Sequence, residues 1–293
     1  MRFWLHIHNT PPEEGLELAM MAEQLGFEGV VGDDHWFMPA TSENHDPNER
    51  APLPMDYIFP DIFAFGGAVL ARTTRLKFGS CIMVLANRTN PFLVAKAAAT
   101  LARISDDRFV MGVGTGWMRD EYDMAGVEWK TRVPRTVEMM EILRKLWADK
   151  PAEHHGRFFD FSPTFAEPRP NRPIPIYMGS VAEAALLRTG QVADGWMGMT
   201  SKLADLPGQI ALINQGRAEA GRSDVPFEFM VGLARNEDGS LPSLDDYRRA
   251  ADVGVTQHHV GPIDHALGKI RTSFDEKRRF TEDFARRVID ACK

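Results

Sequence analysis

The chain has 293 residues, of which 44% are apolar and 26% charged, and its formal net charge is -7. This composition is typical of a soluble globular protein, and since no apolar run is long enough to cross a bilayer, we expect no membrane span. The acidic charge without a Lys/Arg cluster argues against nucleic-acid binding. The two cysteines, Cys81 and Cys292, are too few and too far apart for a disulfide framework or a cysteine-based zinc site.

The first residues follow a strand pattern and lack the apolar region and the cleavage site of a signal peptide. We therefore expect a cytoplasmic protein that acts on a small molecule, with neither a nucleic acid nor a membrane as partner. The C-terminal helical region carries Phe and Arg/Lys residues that fit either a homodimer surface or a solvated face.

Apolar periodicity predicts strands and helices that alternate along the chain. The predicted strands are 3–8, 27–32, 76–85, 108–114, 174–179, 195–198, 225–233 and 255–261. The predicted helices are 11–25, 57–71, 90–101, 135–148, 182–189, 203–220 and 244–252, followed by a C-terminal helical region. This alternation predicts an α/β fold, a single (β/α)8 barrel of the TIM type that uses residues 1–293 as one domain.

Two connections in this scheme are unusually long. The polar, proline-rich loop 37–56 follows the second strand, and the proline-rich segment 151–175 precedes the fifth strand. We interpret the second as an extended surface loop, because the alternation of strand and helix resumes directly after it. Long loops on a compact scaffold often carry function.

In such a barrel the functional side chains lie where strands run into the loops that follow them. The most informative stretch is 108–117, in which an apolar strand ends in three glycines spaced two apart. Glycine lets main-chain N–H groups approach a flat ring or a phosphate, although a tight turn needed only for packing fits the same pattern. By this rule the site collects residues at strand ends: Asn9, Asp34, His35, Cys81, Gly114, Gly116, Trp117, Gly179, Ser180, Trp196 and Thr200.

Several of these strand ends carry glycine, which predicts a broad, flat ligand of the size of a flavin. Gly179 and Ser180 precede a predicted helix and suit a phosphate, while Thr200 and Lys202 could add a hydroxyl and a cation. The Gly-Ser pair is equally an ordinary helix cap.

Asp34 and His35 place an acid and an imidazole at the barrel rim. His35 can exchange protons near neutral pH, and an adjacent carboxylate can set its charge, so both are predicted to be catalytic. The alternative is that His35 only fixes the loop after it. Aromatic side chains near the rim predict a largely apolar substrate, in a pocket formed by His8, Trp36 and Trp196.

His6 and His8 share one face of the first strand, as the ligands of metal-dependent barrel hydrolases do. Such a site needs ligands from other strands, and the strands near Gly179 and Gly198 supply none. Adjacent His258-His259 point to opposite faces of their strand. We therefore expect no metal, with one of the first two histidines lining the cavity and the other packed.

Taken together, these residues resemble the bacterial luciferase-like monooxygenases and oxidoreductases, in particular the branch that uses coenzyme F-420, a deazaflavin. The resemblance spans roughly residues 1 to 200, and the matching segments stand in the family's order: 18–29, 33–35, 73–84, 90–101, 108–121 and 175–196. It implies a ring across the C-terminal ends of the strands, supported by a bulge with a cis peptide bond that matches Cys81-Ile82 here.

The resemblance also implies roles for single residues. His35 would handle protons beside Asp34, and both would lie next to the ring. The cofactor channel would be lined by Gly114, Thr115, Gly116 and Trp117. The phosphate region would be formed by Gly179, Ser180, Thr200 and Lys202.

The expected activity is hydride transfer between coenzyme F-420 and a small, largely apolar organic substrate. Trp117 stands where the family's sugar-phosphate dehydrogenase has a catalytic carboxylate, so sugar-phosphate oxidation is not expected. A monooxygenase that uses reduced FMN and dioxygen is the main alternative, because the deazaflavin moves hydride whereas reduced FMN activates dioxygen. A metal-dependent hydrolase and a flavin-binding protein without catalysis are further alternatives.

Overall fold

The computed structural model describes residues 1–40, 56–148, 150–269 and 271–292. Ten strands lie in these ranges: β1 (Arg2–Ile7), β2 (Gly29–Asp34), β3 (Lys77–Val84), β4 (Phe109–Gly114), β5 (Ala152–His155), β6 (Asp160–Thr164), β7 (Ile176–Met178), β8 (Gly195–Ser201), β9 (Glu228–Leu233) and β10 (Gln257–Val260). Eight of them pair in parallel and close into a barrel in the order β1-β10-β9-β8-β7-β4-β3-β2. The predicted TIM-type barrel is confirmed.

Helices connect the barrel strands and pack on the outside of the barrel, as α1 does against β1 and β2. The α-helices of the described ranges are α1 (Pro12–Leu25), α2 (Ile62–Arg72), α3 (Pro91–Ile104), α4 (Arg119–Met124), α5 (Arg132–Trp147), α6 (Glu183–Val192), α7 (Leu206–Glu219), α8 (Leu244–Asp252), α9 (Ile263–Ala266) and α10 (Phe274–Phe284).

Capping residues set the ends of several helices. Asp61 accepts hydrogen bonds from the N–H groups of Phe63 and Ala64, so α2 begins at Ile62 and not at the predicted residue 57. Helix α1 ends at Gly26, whose φ of 91° is left-handed and favours glycine.

Side chains inside the barrel form a packed floor. Trp4 donates from Nε1 to Gln257 Oε1 over 2.7 Å, and Gln257 Nε2 donates to the hydroxyl of Tyr177 over 3.3 Å. Cys81 and Met197 pack in the same interior cluster. Because these polar atoms are paired with one another, the lower half of the barrel is a filled core.

Two predictions about the connections need correction or fall outside the described ranges. Segment 151–175 is not only a loop, because β5 and β6 within it form an antiparallel hairpin. The short helix α4 was not predicted. Most of the predicted loop 37–56 lies outside the described residues. No helix in the described ranges is both long enough and apolar enough to cross a bilayer.

Candidate active site

Strand β3 carries a bulge at its C-terminal end. Between its pairings with Val110 and Val113 of β4, it has one residue more than β4 does. The hydroxyl of Ser80 bonds to backbone groups of β4 inside this gap, at 2.8 and 2.9 Å. The peptide bond between Cys81 and Ile82 is cis, which confirms the position that the family resemblance implies.

The glycines at the strand ends make room for protein side chains. A Cβ atom at Gly179 would lie 1.8 Å from Ile82 Cδ1, and one at Gly114 would lie 3.1 Å from Ile82 Cγ2. A Cβ atom at Gly198 would lie 2.7 Å from Trp196 Cζ2. In this structure the space that a side chain would take at these glycines is filled by Ile82 at two of them and by Trp196 at the third.

The loop after β4 turns at a glycine that packs on the bulge strand. Gly116 has a φ of 68°, and a Cβ atom there would lie 2.7 Å from Val84 Cγ1. The carbonyl of Thr115 accepts a hydrogen bond from the hydroxyl of Tyr122 over 2.6 Å, which fixes the loop to α4. Trp117 follows this loop, half-buried at the mouth.

His35 is held between a carboxylate and an indole. Its Nδ1 lies 3.1 Å from Glu121 Oε2, and its Nε2 lies 3.2 Å from Trp117 Nε1. An indole N–H can only donate, so Nε2 of the neutral ring carries the lone pair and Nδ1–H donates to the carboxylate. Glu121 is fully buried and also accepts the N–H of Trp36 over 2.6 Å. These contacts orient the imidazole before any ligand binds.

The predicted Asp34-His35 pair is not formed. Asp34 instead accepts a hydrogen bond from Arg88 over 2.6 Å, and burial raises the pKa of this carboxyl although Arg88 opposes the shift. Successive residues of a strand point to opposite faces, so Asp33 faces the barrel interior and Asp34 does not. The carboxylate that bonds to His35 is Glu121, and the predicted pairing of Asp34 with His35 is therefore wrong.

A second acid and imidazole face each other inside the mouth. His6 Nε2 lies 2.6 Å from Asp33 Oδ1, and the hydroxyl of Tyr57 also bonds to Asp33. Burial by itself raises the pKa of Asp33, but His6 and His8 outweigh it and the pKa is lowered. Asp33 is thus a carboxylate in a half-buried, hydrogen-bonded position.

His8, at the end of β1, is the centre of a third polar group. Its Nε2 lies 3.3 Å from Asp264 Oδ2, and burial lowers the pKa of this imidazole despite the acid. The ammonium of Lys277 donates to the carbonyls of His8 and Asn9 and to the hydroxyl of Thr10, at 3.2, 2.7 and 2.6 Å. Helix α10 therefore anchors, through Lys277, the residues that follow β1.

The three predicted pocket residues lie in different surroundings. His8 is buried at the mouth with its ring centre 6.0 Å from that of Tyr57, and Trp36 is 41% exposed on the rim. Trp196 is fully buried outside the barrel wall, where it packs with Leu186 and Leu206. Its assignment to the substrate pocket is wrong. Successive residues of β8 point to opposite faces of the sheet, and it is Met197 that faces the barrel interior.

The predicted phosphate region is only partly available. The hydroxyl of Ser180 is buried against Thr189, with 2.9 Å between the two oxygens, and α6 begins three residues after Ser180, with Ala182 as its N-cap. Ser180 therefore does not cap this helix, and its hydroxyl is paired with that of Thr189. Thr200 and Lys202 are exposed at the end of β8.

A cavity of about 240 Å³ lies beside the ends of β8, β9 and β10. Thr200, Arg235, His259 and His265 contribute its polar lining. The cavity includes the exposed Thr200 at the end of β8.

Sequence reasoning missed Asp33, Glu121 and Asp264. Asp33 could have been found, because it alternates with the apolar inward-facing positions of β2. Glu121 lies 86 positions from His35 in the chain, and no local pattern links the two residues.

Comparisons with known proteins agree with this architecture. The chain is 34% identical over 278 residues to an uncharacterized protein of Mycobacterium bovis, which covers 94% of each chain. It is 30% identical over 239 residues, 78% of this chain and 67% of the relative, to an F-420-dependent glucose-6-phosphate dehydrogenase of Microbacterium testaceum. The solved structure of an F-420-dependent secondary alcohol dehydrogenase with an F-420-acetone adduct superposes with a TM-score of 0.77, 19% identity and coverage of 98% of both chains.

The family model for luciferase-like monooxygenases matches residues 2–235, most of the chain. The match spans all the strand ends described above except that of β10. The chain belongs to the luciferase-like monooxygenase family.

Proposed function

We propose that this protein is an oxidoreductase that transfers hydride between coenzyme F-420 and a small organic substrate. The observation that carries the proposal is His35, held by Glu121 and Trp117 beside the bulge of β3. β2 and β3 pair directly at Asp34 and Met83, so the histidine that follows β2 lies next to the bulge. Relatives named for their dependence on coenzyme F-420 support this choice of cofactor.

The residues at the mouth fit a deazaflavin. Ile82 and Met199 are partly buried apolar side chains above the barrel floor, suited to the face of a flat ring. Trp117 lies to one side, and Thr200 and Lys202 are free to meet a phosphate at the end of β8. When bound, the deazaflavin supplies a ring carbon that accepts or gives up a hydride.

The chain's own part in the reaction is proton handling at His35. The neutral ring takes up a proton only at Nε2, where Trp117 now donates a hydrogen bond. A substrate hydroxyl that replaces the indole there can pass its proton to His35 as hydride leaves its carbon. Glu121, next to Nδ1, then stabilises the imidazolium.

The residues that line the mouth also indicate the kind of substrate. Because Trp196 does not line the mouth, the lining is more polar than the sequence predicts. His8, Asp33 and Tyr57 face the same space. A small alcohol or carbonyl compound fits best, with its oxygen toward these groups and its apolar part near the exposed Trp36.

Titration of the purified protein with coenzyme F-420 and with FMN tests the cofactor, followed by anaerobic turnover with a panel of small alcohols and their carbonyl products. We expect binding of coenzyme F-420 and a change in its absorbance with an alcohol, without oxygen uptake. Binding of FMN alone, with oxygen consumed in an electrode, would instead establish the monooxygenase. Binding without turnover of any compound would favour a flavin-binding protein.

A further inference from the structure

Three buried groups from separate strands converge below the mouth. They are His6 on β1, Cys81 on β3 and His259 on β10, each 1% exposed. A ring nitrogen of each histidine and the sulfur of Cys81 all lie within 4.8 Å of one another. In the part of the chain that the structure describes, this is the one group of His, Cys, Asp or Glu side chains gathered so closely.

Both histidines have one nitrogen fixed and the other unpaired. His6 Nε2 lies 2.6 Å from Asp33, and His259 Nε2 lies 2.9 Å from the carbonyl of Gly198. A carbonyl only accepts, so His259 donates from Nε2 and keeps a lone pair on Nδ1. Within the described residues, neither Nδ1 has a hydrogen-bond partner. A histidine with one ring nitrogen hydrogen-bonded and the other free is the arrangement of metal-binding histidines.

A fourth sulfur or nitrogen donor lies beside the three groups. The sulfur of Met199 is 3.4 Å from that of Cys81. A thioether is a soft ligand that suits the same ions as a thiolate.

We infer that His6, Cys81 and His259 form a binding site for a thiophilic transition-metal ion, Zn²⁺ or Cu⁺, with Met199 as a weak fourth ligand. Two imidazoles and a thiolate are ligands that such ions prefer. In a tetrahedral zinc site, neighbouring ligand atoms stand roughly 3.4 to 3.6 Å apart, so side-chain shifts of about 1 Å close this one.

From the sequence alone we expect no metal, because we pair His6 with His8 and find no further ligands at the strand ends near Gly179 and Gly198. Barrel closure changes this, since β1 pairs with β10 and brings His259 next to His6. The bulge of β3 supplies the third ligand, Cys81. The inference does not depend on the proposed cofactor, because all three residues belong to the protein alone.

The test is a titration of the full-length, reduced, metal-free protein with Co²⁺ as a spectroscopic substitute for Zn²⁺, and with Cu⁺ under anaerobic conditions. We expect one equivalent of metal and a thiolate-to-cobalt charge-transfer band. The exposed Cys292 offers a matched control. Cys292→Ser should keep the band and the stoichiometry, whereas Cys81→Ser should lose the band and at least about tenfold in affinity.

A second variant separates ligation from folding. Asp33→Asn keeps the three ligands but weakens the hold on His6, so it should keep the band and lower the affinity roughly 10- to 100-fold. Wild-type protein that shows no band with Co²⁺ and binds no Cu⁺ overturns the inference, whether or not the Cys81 variant folds. A band that survives in Cys81→Ser overturns it as well.

Discussion

At the scale of single residues, the carboxylate that matters to His35 is remote in the chain. Asp34 is its neighbour in sequence but pairs with Arg88, while Glu121 reaches His35 from α4. A buried carboxylate that accepts the Nδ1–H fixes the orientation of the ring. The two carboxylates therefore make different predictions when each is removed.

Replacing Glu121 with Gln should lower kcat without a matching loss of cofactor binding. A hydrogen bond to a charged group contributes about 1.5–3 kcal/mol, which corresponds to roughly a 10- to 150-fold loss in rate. His35→Ala should lose about 100-fold or more, because it removes the proton acceptor. Steady-state turnover of an active substrate measures both effects.

Asp34→Asn is the control, since it changes a carboxylate one position from His35 that does not bond to it. We expect its kcat to stay within a few-fold of the wild type. A larger loss in Asp34→Asn than in Glu121→Gln would restore the pair predicted from the sequence.

At the scale of elements, the bulge of β3 and the glycines around it form one packing unit. A methyl group at Gly179 would lie 1.8 Å from Ile82 Cδ1, so the two residues cannot both be large. Gly179→Ala should therefore reduce the free energy of unfolding by about 1–3 kcal/mol through overpacking. Urea unfolding of the variant and the wild type measures the difference.

Shortening Ile82 tests the cause of that loss. Ile82→Val removes the Cδ1 atom that the new methyl group would meet, so the double variant should recover part of the stability that Gly179→Ala loses. Gly208→Ala, on α7 with open space around it, is the control and should be neutral or stabilising. Simple additivity of the two changes would show that Ile82 does not fill the space above Gly179.

Glu138 of α5 holds the turn of the β5-β6 hairpin. Glu138 accepts hydrogen bonds from the N–H groups of Phe158 and Phe159, each at 3.0 Å, and lies 3.2 Å from His154 Nε2. Glu138→Ala should release the turn, and amide exchange at residues 156–159 should speed up while that of the barrel strands stays unchanged. Exchange that accelerates equally everywhere would indicate a global loss of stability instead.

These elements also show how much of the structure can be predicted from the sequence. The barrel was predictable because each strand and helix has its own apolar period, and the cis bond at Cys81-Ile82 followed from the family resemblance. The β5-β6 hairpin was not, since its strands have only four and five residues and lie in a proline-rich segment. The roles of Ser180 and Glu121 depend on contacts with α6 and β2 that local patterns do not contain.

At the scale of the whole molecule, closure of the barrel decides which residues meet. The first and last strands pair, so residues more than 250 positions apart in sequence become neighbours, as Trp4 and Gln257 do. Around the outside, buried or half-buried carboxylates join one element to the next through backbone N–H groups. Acid should therefore loosen the contacts between elements before it disrupts the apolar core.

Glu23 and Glu138 determine the direction in which stability should change with pH. Glu23 on α1 accepts the N–H groups of residues 74–76, and Glu138 holds the hairpin turn. Burial raises each pKa, but the hydrogen bonds outweigh it and both lie below the ordinary value of 4.5. Below pH 4.5 the unfolded chain binds protons that the folded one does not, so stability present above that pH is lost as the pH falls.

The double variant Glu23→Gln/Glu138→Gln should be less stable than the wild type at pH 7 and should lose less further stability between pH 5 and about pH 3. Urea unfolding at each pH gives the two curves, with the linear slope checked for constancy. Exposed Glu141, changed to Gln, is the control and should follow the wild type. Curves for the double variant and the wild type that stay parallel down to about pH 3 would assign acid sensitivity to other groups, such as Asp33 inside the mouth.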